Sequence, residues 1–209
     1  MALDSLEAGL GAEWPFVTFP QYMDAVEQGG SAINVGVLFG HTPLRLYVMG
    51  PEATERQATV EEVKTMRGLV REAMDAGAIG FATSKSITHS GFAGKPVPSR
   101  QASYEEMDQL VSVLGELQRG IMQITIGKEF SLDEMAKISR ERNVPVTWTA
   151  LLAGLRGPGS HRMFLDRTAA HLKEGARVIP QVSARPLNFE FNWADPFPFE
   201  VIKLFNELA

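Results

Sequence analysis

Three S/T-x-x-E boxes, each set between two short apolar runs, constrain this 209-residue chain more than any other feature. They are Thr59-Val60-Glu61-Glu62, Ser103-Tyr104-Glu105-Glu106 and Ser131-Leu132-Asp133-Glu134. In such a box the hydroxyl accepts a backbone N–H of the first helical turn, and the glutamate returns to the N–H of the capping residue. Each box therefore predicts a helix start, and a helix that starts between two apolar runs predicts a βαβ unit. After Thr59 the apolar residues Val63, Met66, Leu69, Val70, Ala73 and Met74 recur at helical spacing until Gly77. The second helix runs to about Gln118, and a fourth, over 162–173, ends at Gly175.

The intervening runs predict strands at about 33–40, 78–84, 121–127, 144–151 and 177–183. Five strands separated by helices imply an α/β chain of parallel βα repeats. Both a doubly wound sheet and a barrel satisfy that pattern. A complete (β/α)₈ barrel needs eight strands and typically ~250 residues, so a barrel reading gives a partial, incomplete TIM-like barrel of about five strands. The expectation is a single α/β domain over 1–209, a fragment of a larger (β/α)₈ barrel.

Composition removes several classes of function. With 20 Lys and Arg against 25 Asp and Glu, the net charge of −5 gives no reason to expect nucleic acid or a membrane surface as partner. The absence of cysteine excludes disulfides and thiolate metal sites and fits a cytoplasmic protein. No apolar run reaches the roughly 18 residues of a membrane span. Neither G-x-G-x-x-G nor a Walker A motif occurs, so nucleotide phosphates are not called for.

In either architecture the chemistry belongs at the carboxyl ends of the strands. The sequence puts His41 after the first strand, and Lys85, His89, Lys95 and Arg100 after the second. Lys128 and Glu129 follow the third, and Ser183 and Arg185 the fifth. The stretch SITHSGFAGKPVPSR, residues 86–100, is the longest of these loops, and loops that long are often functional.

His89 and Glu129 are the candidate catalytic groups, with Glu129 also readable as a residue favoured by the positive end of the following helix. His41, Arg100, Lys128 and Arg185 are the candidate substrate-binding groups. Either arginine can clamp a carboxylate bidentately, and His41 can equally hydrogen-bond a loop backbone. His161 and His171 fall near or within an ordinary helix face. The aromatic cluster FEFNWADPFPF, residues 189–199, suits core or an interface, and another amphipathic segment begins near Pro198.

The stretch NVGVLFGHTPLRLYVMG, followed by a helix and REAMDAGAIGFATS, resembles the middle of the D-aminoacylase-like branch of the amidohydrolase superfamily. The likeness continues through THSGFAGKPVPSR, GIMQITIGKEFSLDEM and NVPVTWTALL, from roughly Trp14 to Trp193. It implies a metal-dependent hydrolase that removes the acyl group from N-acyl-D-amino acids or similar small-molecule amides through a metal-activated water. A divalent metal, zinc, is implied by the resemblance alone. In the family its ligands are an H-x-H, two strand histidines and a late aspartate, often with a bridging cysteine. No H-x-H occurs here, and QITIGK and TWTALL stand where strand histidines are expected, so the metal ligands are unknown. The alternative is a catalytically inactive truncated barrel that self-associates into a homo-oligomer, because a sheet cut from a barrel leaves unpaired edges.

Overall fold

The computed structural model describes residues 14–91, 95–127, 130–154, 157–186 and 188. The expectations at Lys128, Glu129, 189–199 and Pro198 fall outside them.

Helix α1 (Phe19–Gly29) leads to strand β1 (Leu38–Gly40) and helix α2 (His41–Met49). Next come α3 (Val60–Asp75), β2 (Gly80–Ser84), α4 (Tyr104–Leu117), β3 (Ile121–Thr125), α5 (Leu132–Arg142), β4 (Val146–Thr149), α6 (Ser160–Lys173) and β5 (Val178–Pro180). Short 3₁₀ turns cover Gly50–Thr54 and Pro98–Gln101.

The strands pair in parallel and in sequence order, β1-β2-β3-β4-β5. Phe39, Phe81, Met122, Val146 and Val178 share one row of the register, and Thr83, Ile124, Trp148 and Pro180 another. Successive side chains point to opposite faces, so these rows face the helices. Phe81, Met122, Ile124, Val146, Trp148 and Val178 join the core with Val70 and Met74 of α3, Leu110 and Leu114 of α4, and Met135 and Ile138 of α5.

The opposite face carries Gly40, Ala82, Gln123, Thr147 and Ile179 in one row and Ser84, Thr125 and Thr149 in the next. It is part-exposed and, toward the carboxyl ends, polar. A doubly wound sheet reverses its order at a switch point and covers both faces with helices. Sequential order with one helical face is instead the wall of a barrel, and this sheet is not closed.

Two of the three predicted boxes form in full: Thr59 with Glu62, and Ser131 with Glu134. The third forms only in half. Ser103 Oγ accepts the Glu106 N–H at 3.1 Å, but the Glu106 carboxylate turns inward. The strands are shorter than expected at both outer positions, where only one neighbour supplies a ladder. Helices α1 and α2 replace stretches that the apolar pattern left unassigned.

Candidate functional site

The polar groups divide into two layers, one behind the sheet and one on its open face. Behind it, α2 presents His41, Leu44, Arg45 and Met49 on one buried side. His41 is 0% exposed, with Nδ1 2.8 Å from Thr83 Oγ1 and Nε2 2.8 Å from Glu106 Oε1. A carboxylate can only accept, so His41 Nε2–H donates to Glu106 and Nδ1 accepts the Thr83 hydroxyl proton. Glu106 Oε2 accepts from Arg45 Nη1, and Arg45 Nη2 donates to the Arg56 carbonyl at 2.7 Å.

Burial pushes the His41 pKa down, more than the Glu106 hydrogen bond and charge push it up. Burial alone would raise the Glu106 carboxyl, yet the bonds and charges of His41 and Arg45 hold it below its ordinary value. This network ties α2, α4 and β2 together. His41, expected to meet substrate, belongs to this helix side instead, because α2 begins directly at the end of β1 and carries the imidazole under the sheet.

On the open face, Ser84 ends β2, and its Oγ lies 2.7 Å from His89 Nδ1. Ser84 Oγ also accepts the Ser86 N–H at 3.2 Å. Next to it in the register stand Thr125 and Thr149, whose hydroxyl oxygens are 3.0 Å apart. Gln181 Nε2 donates to Thr147 Oγ1 at 3.1 Å on the same face.

The described parts of the 86–100 loop fold back over this end. Gly91 N–H donates to the Lys95 carbonyl at 2.7 Å, and Ser90 and Pro96 form an isolated antiparallel bridge. Buried Lys85 fastens the return, donating to the Arg100 and Ala102 carbonyls, each at 2.7 Å. Arg100 Nη1 lies 3.4 Å from the His89 carbonyl. Partial burial lowers the His89 pKa, with the nearby Arg100 charge adding to it. Gly127 closes the neighbouring strand end; a Cβ there would sit 1.9 Å from the Lys85 carbonyl, so only glycine lets the two chains approach.

The structure thus brings His89 and Arg100 together. Arg185 lies exposed beyond β5, in a turn where its N–H donates to Ser183 Oγ at 3.4 Å. His171 pairs with Asp133 at 2.8 Å on the helix surface. Sequence reasoning missed Ser84, Arg45 and Glu106. Glu106 was concealed by its box motif, while Pro43 in a first turn and Gly50 beyond Met49 were the available signs of α2.

A parallel sheet in sequence order, with one helical face and polar groups at its carboxyl ends, defines a sector of a (β/α)-barrel of the kind enzymes use. Comparison with known proteins gives that sector its relatives. No family model matches the chain. D-aminoacylase of Alcaligenes xylosoxydans xylosoxydans is 35% identical over 149 residues, covering 69% of this chain and 28% of that protein. N-acyl-D-aspartate deacylase of the same organism is 44% identical over 68 residues, 32% of this chain and 13% of the relative.

Among solved structures, D-aminoacylase matches with a TM-score of 0.67 at 28% identity, covering 82% of this chain and 34% of that one. N-acyl-D-glutamate deacylase from Bordetella bronchiseptica, complexed with zinc and a phosphonate inhibitor, matches with a TM-score of 0.65 at 25% identity over 86% of this chain and 36% of its own. Another D-aminoacylase structure is described for the functional role of its binuclear metal centre. Over most of its length, then, the chain has D-aminoacylase and N-acyl-D-glutamate deacylase, amidohydrolases, as its homologues. It spans about a third or less of the length of these relatives.

Metal centres belong to those homologous structures. Among the described residues of this chain, no group of three or more His, Asp or Glu could hold a metal ion. The open-face strand ends offer hydroxyls at Ser84, Thr125 and Thr149, which are poor ligands for zinc beside imidazole and carboxylate. The described residues do not fit the implied metal.

Proposed function

We propose that this chain belongs to a protein that hydrolyses the amide bond of N-acyl-D-amino acids or similar small-molecule amides, with the substrate at the carboxyl end of the sheet. The observation that carries the reading is the D-aminoacylase homology, combined with His89 and Arg100 gathered over the hydroxyl-rich open face. Arg100 suits the substrate carboxylate, since its planar fork matches two oxygens, and His89, whose pKa partial burial lowers, suits proton transfer. Glu129, Lys128 and Arg185 remain sequence-based candidates for the same cleft. The metal-activated water implied by the resemblance finds no ligand set among the described residues, so no step is assigned to it.

Purified protein offered a panel of N-acetyl-D-amino acids and their L-enantiomers tests the reading by release of free amine. The expected outcome is D-selective turnover, with His89→Ala lowering kcat and Arg100→Ala raising KM, at nearly unchanged Tm. No turnover of any member, with or without added zinc, would overturn it.

A second reading, an inactive barrel sector that self-associates, is favoured by the two edge strands, each with one partner strand among the described residues. At the β1 edge an apolar cavity of about 390 Å³ is lined by Phe16, Phe19, Tyr22, Phe39 and Tyr47, and at the β5 edge Ile179 is half-exposed. A second copy that covers such surface would bury on the order of 1,000 Å². Light scattering decides this reading, since a monomer at tens of micromolar removes it.

A further inference from the structure

We infer that Ser99 is the positioning residue for Arg100: its hydroxyl, held between helix α2 and the end of β2, sets where the guanidinium stands over the open face. The inference rests on the reading above for the role of Arg100 toward a substrate carboxylate. It goes beyond that reading in naming what holds the arginine in place.

Ser99 lies in the 3₁₀ turn Pro98–Gln101, on the return arm of the 86–100 loop, and is only 1% exposed. Serines are mostly exposed, and a buried hydroxyl is costly unless it is hydrogen-bonded. Here Ser99 Oγ lies 2.9 Å from the Ser84 carbonyl and 3.2 Å from Thr42 Oγ1. A carbonyl can only accept, so the one Ser99 hydroxyl proton goes to Ser84. Thr42, in the first turn of α2, then donates to Ser99. The count of protons fixes both directions.

Arg100 stands between tethered neighbours. Before it, Ser99 is bound to the end of β2. After it, Gln101 Nε2 donates to the Thr54 carbonyl at 3.0 Å, on the Gly50–Thr54 turn. Its own carbonyl accepts from Lys85 Nζ at 2.7 Å. From this fixed stretch the half-buried Arg100 side chain runs to within 3.4 Å of the His89 carbonyl. Lys85 holds the loop closed, whereas Ser99 fixes the direction in which the arginine leaves it. A guanidinium set in advance loses less freedom when a carboxylate binds, which favours affinity over the rate of the chemical step.

The test compares wild type, Ser99→Ala and Thr42→Val by two readouts. The first, an NMR titration of His89, needs no substrate. Partial burial and the Arg100 charge lower the His89 pKa, so an arginine released in Ser99→Ala should let it rise toward the ordinary histidine value. An unchanged titration overturns the inference. Thr42→Val removes the bond to Ser99 but leaves the Ser84 carbonyl its donor, so the same shift should appear in smaller size. If Ser99→Ala does not fold, Thr42→Val carries the test on the same terms.

The second readout is acetate release from N-acetyl-D-amino acids and from their C-terminal amides, which lack the carboxylate. Ser99→Ala should raise KM for the acids on the order of 10–10²-fold, with kcat within about twofold of wild type, and leave the amides nearly unchanged. A serine with a merely structural role would impair both substrates alike. Equal losses therefore overturn the inference and keep the amidohydrolase reading. No turnover by the wild type sinks that reading alone, and the His89 titration then decides whether Ser99 positions Arg100.

Discussion

Glu106 Oε1 lies 2.8 Å from His41 Nε2 across 65 residues of sequence, and both side chains are sealed from solvent. The same carboxylate also binds Arg45. One acid therefore holds two helices and, through the His41–Thr83 bond, the strand that ends at Ser84.

Removing that acid should be severe. A buried charge stripped of its partner typically destabilises by about 3–5 kcal/mol, so Glu106→Ala, which strands the Arg45 guanidinium, should fall in that range by urea unfolding. Arg45→Met introduced with Glu106→Ala removes the stranded charge, and the double variant should be less destabilised than the sum of the two singles. Strict additivity would show that the pair is not coupled.

Most of the scaffold is legible in the sequence, because the helix starts at Thr59, Ser103 and Ser131 have local causes that act within one turn. The five apolar runs follow from burial against one helix layer. What resists reading is any choice made by distant partners. Glu106 satisfies a local motif but is drawn away by His41 and Arg45, 65 and 61 residues back. His41 stands directly after a strand, whereas α2, which starts at that residue, takes the ring behind the sheet. A serine ending a strand, such as Ser84, has no local mark; only the return of the loop brings it His89.

Stability should fall as the solution is acidified below the ordinary histidine range. An unfolded histidine takes up its proton near 6.5, while folded His41 resists protonation until lower pH because burial disfavours its charged form. Between those two values the unfolded state binds more protons, so acid favours unfolding. The contribution is fully present above 6.5 and shrinks by up to about 1.4 kcal/mol per pH unit below it. Glu106, also lowered, adds loss of the same sign on entering the carboxylate range. Urea midpoints between pH 7.5 and 5.5 measure the slope. His41→Gln should flatten it, and an unchanged slope in that variant would assign the effect elsewhere.

Lys85 should hold the candidate site in shape more than it holds the fold. Its ammonium donates to the Arg100 and Ala102 carbonyls, closing the 86–100 loop on its own strand end. Lys85→Met keeps much of the buried stem but leaves two carbonyls without that donor, at a cost of about 1–3 kcal/mol if they stay buried. The loop can avoid that cost by opening. Amide exchange distinguishes the routes. Gly91, Val97 and Arg100, whose N–H groups bond within the loop, should exchange at least about tenfold faster in Lys85→Met, while Leu110 and Val111 of α4 stay protected. Opening would also part His89 from Ser84. Equal acceleration of loop and helix amides would mean that Lys85 acts through global stability alone.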